Sequence, residues 1–262
     1  MTAGARWSDL RPRILTGAAL ALGGGAAMAL GGTVFLFVTS LAAGILVWEL
    51  SRMVAPDVDN RAVILALLSA LAVAMAGEFE TGWAIGLAVL PAVLGLLTFG
   101  PRRWMFFAYA LAIQGAAYEL TVFRADYGVK WLFWLLLVVI VTDIAGYFAG
   151  RIFGGPKFWP RISPNKTWSG TMAGWVAAGL VGAAFLAFTA AGPSVILLSM
   201  LLSFSAQMGD IAESALKRSV GVKDASDLLP GHGGLFDRFD GVLGASVFML
   251  LVAEFTAGPG LA

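Results

Sequence analysis

The chain has 262 residues, of which 59% are hydrophobic and only 13% charged, with a formal net charge of +1. Counting glycine in and tyrosine out brings the apolar share near ~70%, against roughly 45–50% in soluble domains. With a mean hydropathy of +0.86, too little polar surface remains to cover a water-exposed body, which excludes a soluble globular protein. The charge balance names no nucleic acid as a partner, and the absence of cysteine with a single histidine excludes disulfides, thiolate chemistry and multi-histidine metal sites.

The expected architecture is all-α, a polytopic integral membrane protein with about nine transmembrane helices. Residues 14–50 form an apolar stretch that as one helix would run ~55 Å, nearly twice the ~30 Å hydrocarbon core, so it must fold back, and Gly31-Gly32 is the hinge. A secretory leader is the competing reading of residues 1–30, because Ala27-Met28-Ala29 resembles a cleavage site. Further apolar stretches follow at 62–77, 82–99, 104–123, 129–149, 169–191, 193–213 and 240–257. Taking alternate loops from the amino-terminal tail places all basic residues but Arg124 and Lys130 on one side, as short cytoplasmic loops require. The amino terminus and polar loops are then cytoplasmic and the carboxyl terminus outside, with Glu119 and Glu254 toward outer helix ends. The single membrane domain, 1–262, divides into spans one to five (1–123), a scaffold and lipid cavity, and spans six to nine (124–262) with the cytoplasmic catalytic loops. Gly82/Gly86, Gly146/Gly150 and Gly170/Gly174 are spaced for close helix packing.

Uncommon polar residues concentrate in 143–166 and 209–240. Asp143, Gly146, Tyr147 and Gly150 share one helix face, and an aspartate two turns inside a span is a functional candidate unless Arg151 or Lys166 pairs with it. Ser163-Pro164-Asn165-Lys166-Thr167-Trp168-Ser169 puts hydroxyls, an amide and a lysine before span seven, which suits a phosphate or a plain helix cap. Gly154-Gly155-Pro156-Lys157 reads as an anion cradle or an ordinary turn. Asp210, Glu213, Ser214 and Lys217 share a face at the end of span eight, and Asp237 and Asp240 are spaced to do so at the start of span nine. Carboxylates beside Lys and Arg suit divalent-cation phosphate chemistry, and without thiolate or histidine clusters Mg²⁺ fits better than zinc. The competing reading is a charge-paired cytoplasmic cap.

Ser214-Ala-Leu-Lys217-Arg218, then Lys223-Asp224, then Leu229-Pro230-Gly-His232-Gly233-Gly234-Leu-Phe-Asp237-Arg238-Phe-Asp240 resembles the signature of the phosphatidate cytidylyltransferases, the CDP-diacylglycerol synthases. The resemblance extends through Asp143–Arg151 and the Ser163–Trp168 loop, about the C-terminal half, while the N-terminal spans match only in hydropathy. Many members carry an acid after Lys-Thr-Trp, where Ser169 stands here, so no role passes to an acid at that position. The resemblance implies cytidylyl transfer from CTP to phosphatidic acid, giving CDP-diacylglycerol and pyrophosphate, with Mg²⁺ and room for a second cation. It implies Asp210, Asp237 and Asp240 as catalytic metal ligands, Asp143 as a further candidate, and Lys217 as a catalytic cation. Substrate phosphates would fall to Ser163, Asn165, Lys166, Thr167, Arg218, Lys223 and Arg238, with His232-Gly233-Gly234 as a tight turn letting backbone approach the nucleotide. Membrane lipid is the expected surrounding, a bacterial inner membrane the expected location, and a homodimer is left open. A CTP-using kinase for a long-chain alcohol and a transporter using Asp143 and Asp210 are the rivals.

Overall fold

A computed structural model describes residues 10–57, 59–79 and 81–255. Arg6 and the carboxyl terminus, both used in the topology above, lie outside them, as does the Glu254 side chain. The elements are helices α1 (Leu10–Leu30), α2 (Gly32–Val54), α3 (Asp59–Phe79), α4 (Gly82–Thr98) and α5 (Arg103–Phe153), strands β1 (Lys157–Trp159) and β2 (Ser163–Thr167), and helices α6 (Trp168–Phe188), α7 (Ser194–Val220) and α8 (Phe236–Phe255). Among the described residues six helices are long and apolar enough to cross a membrane, while α4, at 17 residues, is shorter. The protein is therefore an all-α membrane protein with one small hairpin.

The breaks follow from glycine. Gly31 and Gly32 adopt φ of 64° and 50°, a region that costs side-chain-bearing residues energy, and the backbone turns there between α1 and α2. Inside α5, Gly128 has φ 79° and ψ 178°, so the stretch consists of two helical arms, 103–127 and 129–153. The segment before α6 forms an antiparallel pair with Lys157 opposite Thr167 and Trp159 opposite Ser163.

The chain divides into two compact units, Met1–Ala125 with Val220–Phe239, and Asp126–Ser219 with Asp240–Ala262. In the first, Gly44 lies so close to α3 that an added Cβ would meet the Ala66 carbonyl at 2.9 Å, and buried Thr39 and Thr121 share a 2.9 Å hydrogen bond. Arg124, one of the two cations placed outside, donates from Nε to the Met28 carbonyl at 2.8 Å and so satisfies the last turn of α1. In the second unit, buried Trp134 donates to Ser199 at 3.0 Å and Thr142 donates to Ser203 at 2.8 Å, both pinning α5 to α7. At Gly82 and Gly86 an added Cβ would meet nothing within 4 Å among the described residues, so of the three glycine pairs this one shows no close packing there.

Candidate active site

In the second unit the C-terminal arm of α5 and helix α6 approach at glycine. A Cβ on Gly170 would meet the Gly146 carbonyl at 2.5 Å, and one on Gly150 would meet Thr167 Oγ1 at 2.9 Å. Next to that contact lies a cavity of about 530 Å³ whose walls carry Asp143, Tyr147, Arg151, Asn165, Lys166 and Asp210. Gln207, buried on α7, also lines it. It accepts from Trp175 Nε1 at 3.0 Å and donates to the Thr171 carbonyl at 3.2 Å, tying α7 to α6.

Helices α7 and α8 also touch through glycine. A Cβ on Gly209 would collide with the Asp240 carbonyl and approach the Gly244 nitrogen at 2.9 Å. Asp210 follows Gly209, and Asp240 stands one turn before Gly244, so this backbone contact brings the two acids together. Asp210, Glu213 and Asp240 each offer an oxygen within 4.8 Å of the others. Like charges at that range need compensation. Two lysines supply part of it: Lys166 Nζ lies 2.5 Å from Asp210 Oδ2, and Lys217 Nζ lies 2.7 Å from Glu213 Oε2. Three hard oxygen donors at this spacing fit a divalent cation that takes carboxylate and water ligands. Glu213 was read in the sequence only as a neighbour on the Asp210 face; its proximity to Asp240 makes it a member of the cluster.

The signature segment in the first unit is organised differently. Glu49 on α2 is fully buried and accepts from Ser226 Oγ at 2.5 Å, Leu235 N at 2.9 Å and Phe236 N at 2.7 Å, so its carboxylate receives the free amides that open α8. Asp237 Oδ2 accepts from Ala225 N at 2.9 Å and Gly234 N at 2.7 Å. The His232–Gly234 turn is present, closed by Leu229 N to the Gly233 carbonyl at 2.8 Å, with Gly233 at φ 79°. Gly234 is small for a reason internal to this unit: its Cβ would meet Glu49 Oε1 at 2.6 Å. Glu49 escaped the sequence reading, although a carboxylate inside the 14–50 apolar run is itself a signal.

The remaining expected residues fall as follows. Asp143 is exposed on the same cavity wall as Lys166 and Asp210, and Arg151 donates to Tyr147 rather than to Asp143. Thr167 caps α6, accepting from Gly170 N at 3.2 Å, and Ser169 donates to the Gly154 carbonyl at 2.5 Å. Ser163 pairs with Trp159 in the hairpin. Arg218 and Lys223 are exposed, and Arg238 Nε donates to the His232 carbonyl at 3.1 Å.

The model of the cytidylyltransferase family matches residues 11–256. The chain is 46% identical over 149 residues to the phosphatidate cytidylyltransferase of Brucella suis biovar 1, covering 55% of each chain. Its identity to the Bacillus subtilis protein of that name is 42% over 136 residues, 50% of each chain. Against the Mycobacterium leprae protein so named it is 40% over 146 residues, 55% of this chain and 46% of that one. The chain thus spans about half the length of the curated relatives it matches. With the family match running through nearly every described element, the chain belongs to the cytidylyltransferase family.

Proposed function

We propose that the protein transfers the cytidylyl group of CTP to phosphatidic acid, giving CDP-diacylglycerol and pyrophosphate for phospholipid synthesis. The observation that carries this reading is the Asp210–Glu213–Asp240 cluster, with Lys166 paired to Asp210 and both of these on the wall of a cavity among apolar helices. A phosphatidate oxygen, already anionic near neutral pH, attacks the α-phosphorus of CTP. A new phosphorus–oxygen bond forms as the α–β anhydride bond breaks, and pyrophosphate leaves with the electron pair. No side-chain nucleophile or strong base is needed; positioning and charge neutralisation are. Asp210, Glu213 and Asp240 would hold Mg²⁺, which supplies charge neutralisation at the reacting phosphates. Asp143 is the further acid on that wall. Lys166, beside Asp210, would meet phosphate if a cation took its place there, as would exposed Arg218. In the signature segment, Lys223 and Arg238 are exposed cations of the same use, and Asp237, by accepting from Ala225 N and Gly234 N, ties the loop after Lys223 to the turn before α8.

The proposed topology has nine crossings, with α5 divided at Gly128 and counted as two, and its cytoplasmic side in a bacterial inner membrane rests on the basic loops of the sequence. CTP reaches such a cavity from water while the acyl chains of phosphatidate stay in lipid.

The test is label transfer from CTP to phosphatidate by the purified protein in lipid nanodiscs. Asp210→Asn is expected to lower turnover by roughly 10²–10³-fold with the fold retained, and chelation should abolish wild-type turnover until Mg²⁺ is restored. Near-normal turnover by Asp210→Asn would reject the metal assignment.

A further inference from the structure

Two cations line the cavity of the second unit, and they are differently committed. Lys166 is held by Asp210, whereas Arg151 forms no ion pair among the described residues. Arg151 Nη1 donates to the Tyr147 hydroxyl at 2.7 Å, and its guanidinium carbon lies 6.0 Å from the Tyr147 ring centroid. One of five N–H donors is thereby used, and the planar fork is oriented with the rest available. The same arm of α5 exposes Ile144, Phe148, Ile152 and Phe153 by 53%, 55%, 71% and 76%. A guanidinium thus stands where the cavity that carries Asp143, Lys166 and Asp210 meets the exposed apolar surface of this arm. An arginine serving only to set topology would require neither the tyrosine nor the cavity.

We propose that Arg151, oriented by Tyr147, binds the phosphate monoester headgroup of the lipid substrate, with the adjoining apolar residues against its acyl chains. A monoester carries one more unsubstituted oxygen and up to one more negative charge than the diester headgroups of bulk phospholipids, so a fork can pair with two of its oxygens and leave a third unsubstituted. The terminal phosphate of a nucleoside triphosphate offers the same chemistry, so the two sources must be separated by measurement. Because this assignment rests on the cytidylyl-transfer reading, binding is measured as well as turnover.

In nanodiscs of defined phosphatidate fraction, Arg151→Gln is expected to raise the phosphatidate KM about 10- to 100-fold and leave the CTP KM within about twofold. Arg151→Lys should recover only part of the loss, and Tyr147→Phe should raise the same KM several-fold. Labelled short-chain phosphatidate added without CTP should bind wild type and not Arg151→Gln. A phosphatidate KM unchanged in Arg151→Gln, or a rise confined to the CTP KM, would overturn the proposal. Wild type that binds phosphatidate through Arg151 yet transfers no label would sink the transfer reading and leave the headgroup site standing.

Discussion

Both units bury or half-bury acidic side chains, and they compensate them in opposite ways. In the first, Glu49 and Asp237 accept from backbone amides and a serine hydroxyl, donors fixed by the fold. In the second, Asp210 and Glu213 face lysine ammonium groups at the ends of flexible side chains, with Asp240 alongside. An amide cannot leave without unfolding the loop that carries it, whereas an ammonium can swing away and yield its place to a metal ion. On the proposed reading the difference separates acids that hold structure from acids available for chemistry, a distinction invisible when carboxylates are merely counted.

The contrast can be broken or sharpened by thermal unfolding of variants in detergent. The largest effect is expected for Gly209→Val, whose side chain would drive α7 off the Asp240 carbonyl and Gly244; a loss of more than about 4 kcal/mol, seen as failure to recover folded protein, is expected. Next comes Glu49→Gln, which places an amide nitrogen among three donors. It should cost roughly 3 kcal/mol and lower the midpoint by roughly 5–10 °C, and an unchanged midpoint would show that the buried carboxylate does not hold the opening of α8. Ser226→Ala removes one partner of that carboxylate and should cost about 1 kcal/mol. The smallest stability change is expected for Asp210→Asn: the part-exposed Lys166 pair contributes no more than about 1 kcal/mol, and relief of repulsion from Glu213 and Asp240 offsets it. If Asp210→Asn melts as early as Glu49→Gln, the division into structural and exchangeable acids fails.

Much of this was legible from local pattern. Hydropathy identified the apolar helices, glycine identified the Gly31-Gly32 turn, and helical spacing put Asp143 with Tyr147 and Asp210 with Glu213 on shared faces. The signature from Ser214 to Asp240 pointed to the family that the comparisons established. Glu49 was missed because its partners lie 177 to 187 residues away. The pairing of Lys166 with Asp210 was one of several open to a lysine in that loop.

The sequence by itself determined that this chain lives in lipid and which of its residues are chemically unusual, because burial preference and helical period act over a few neighbouring residues. Only the tertiary structure decided which acids meet one another and what neutralises each. Those outcomes depend on where distant helices touch, at Gly209 with Gly244 and at Gly146 with Gly170, and contacts of that kind arise from packing between segments rather than from the preferences of any one of them.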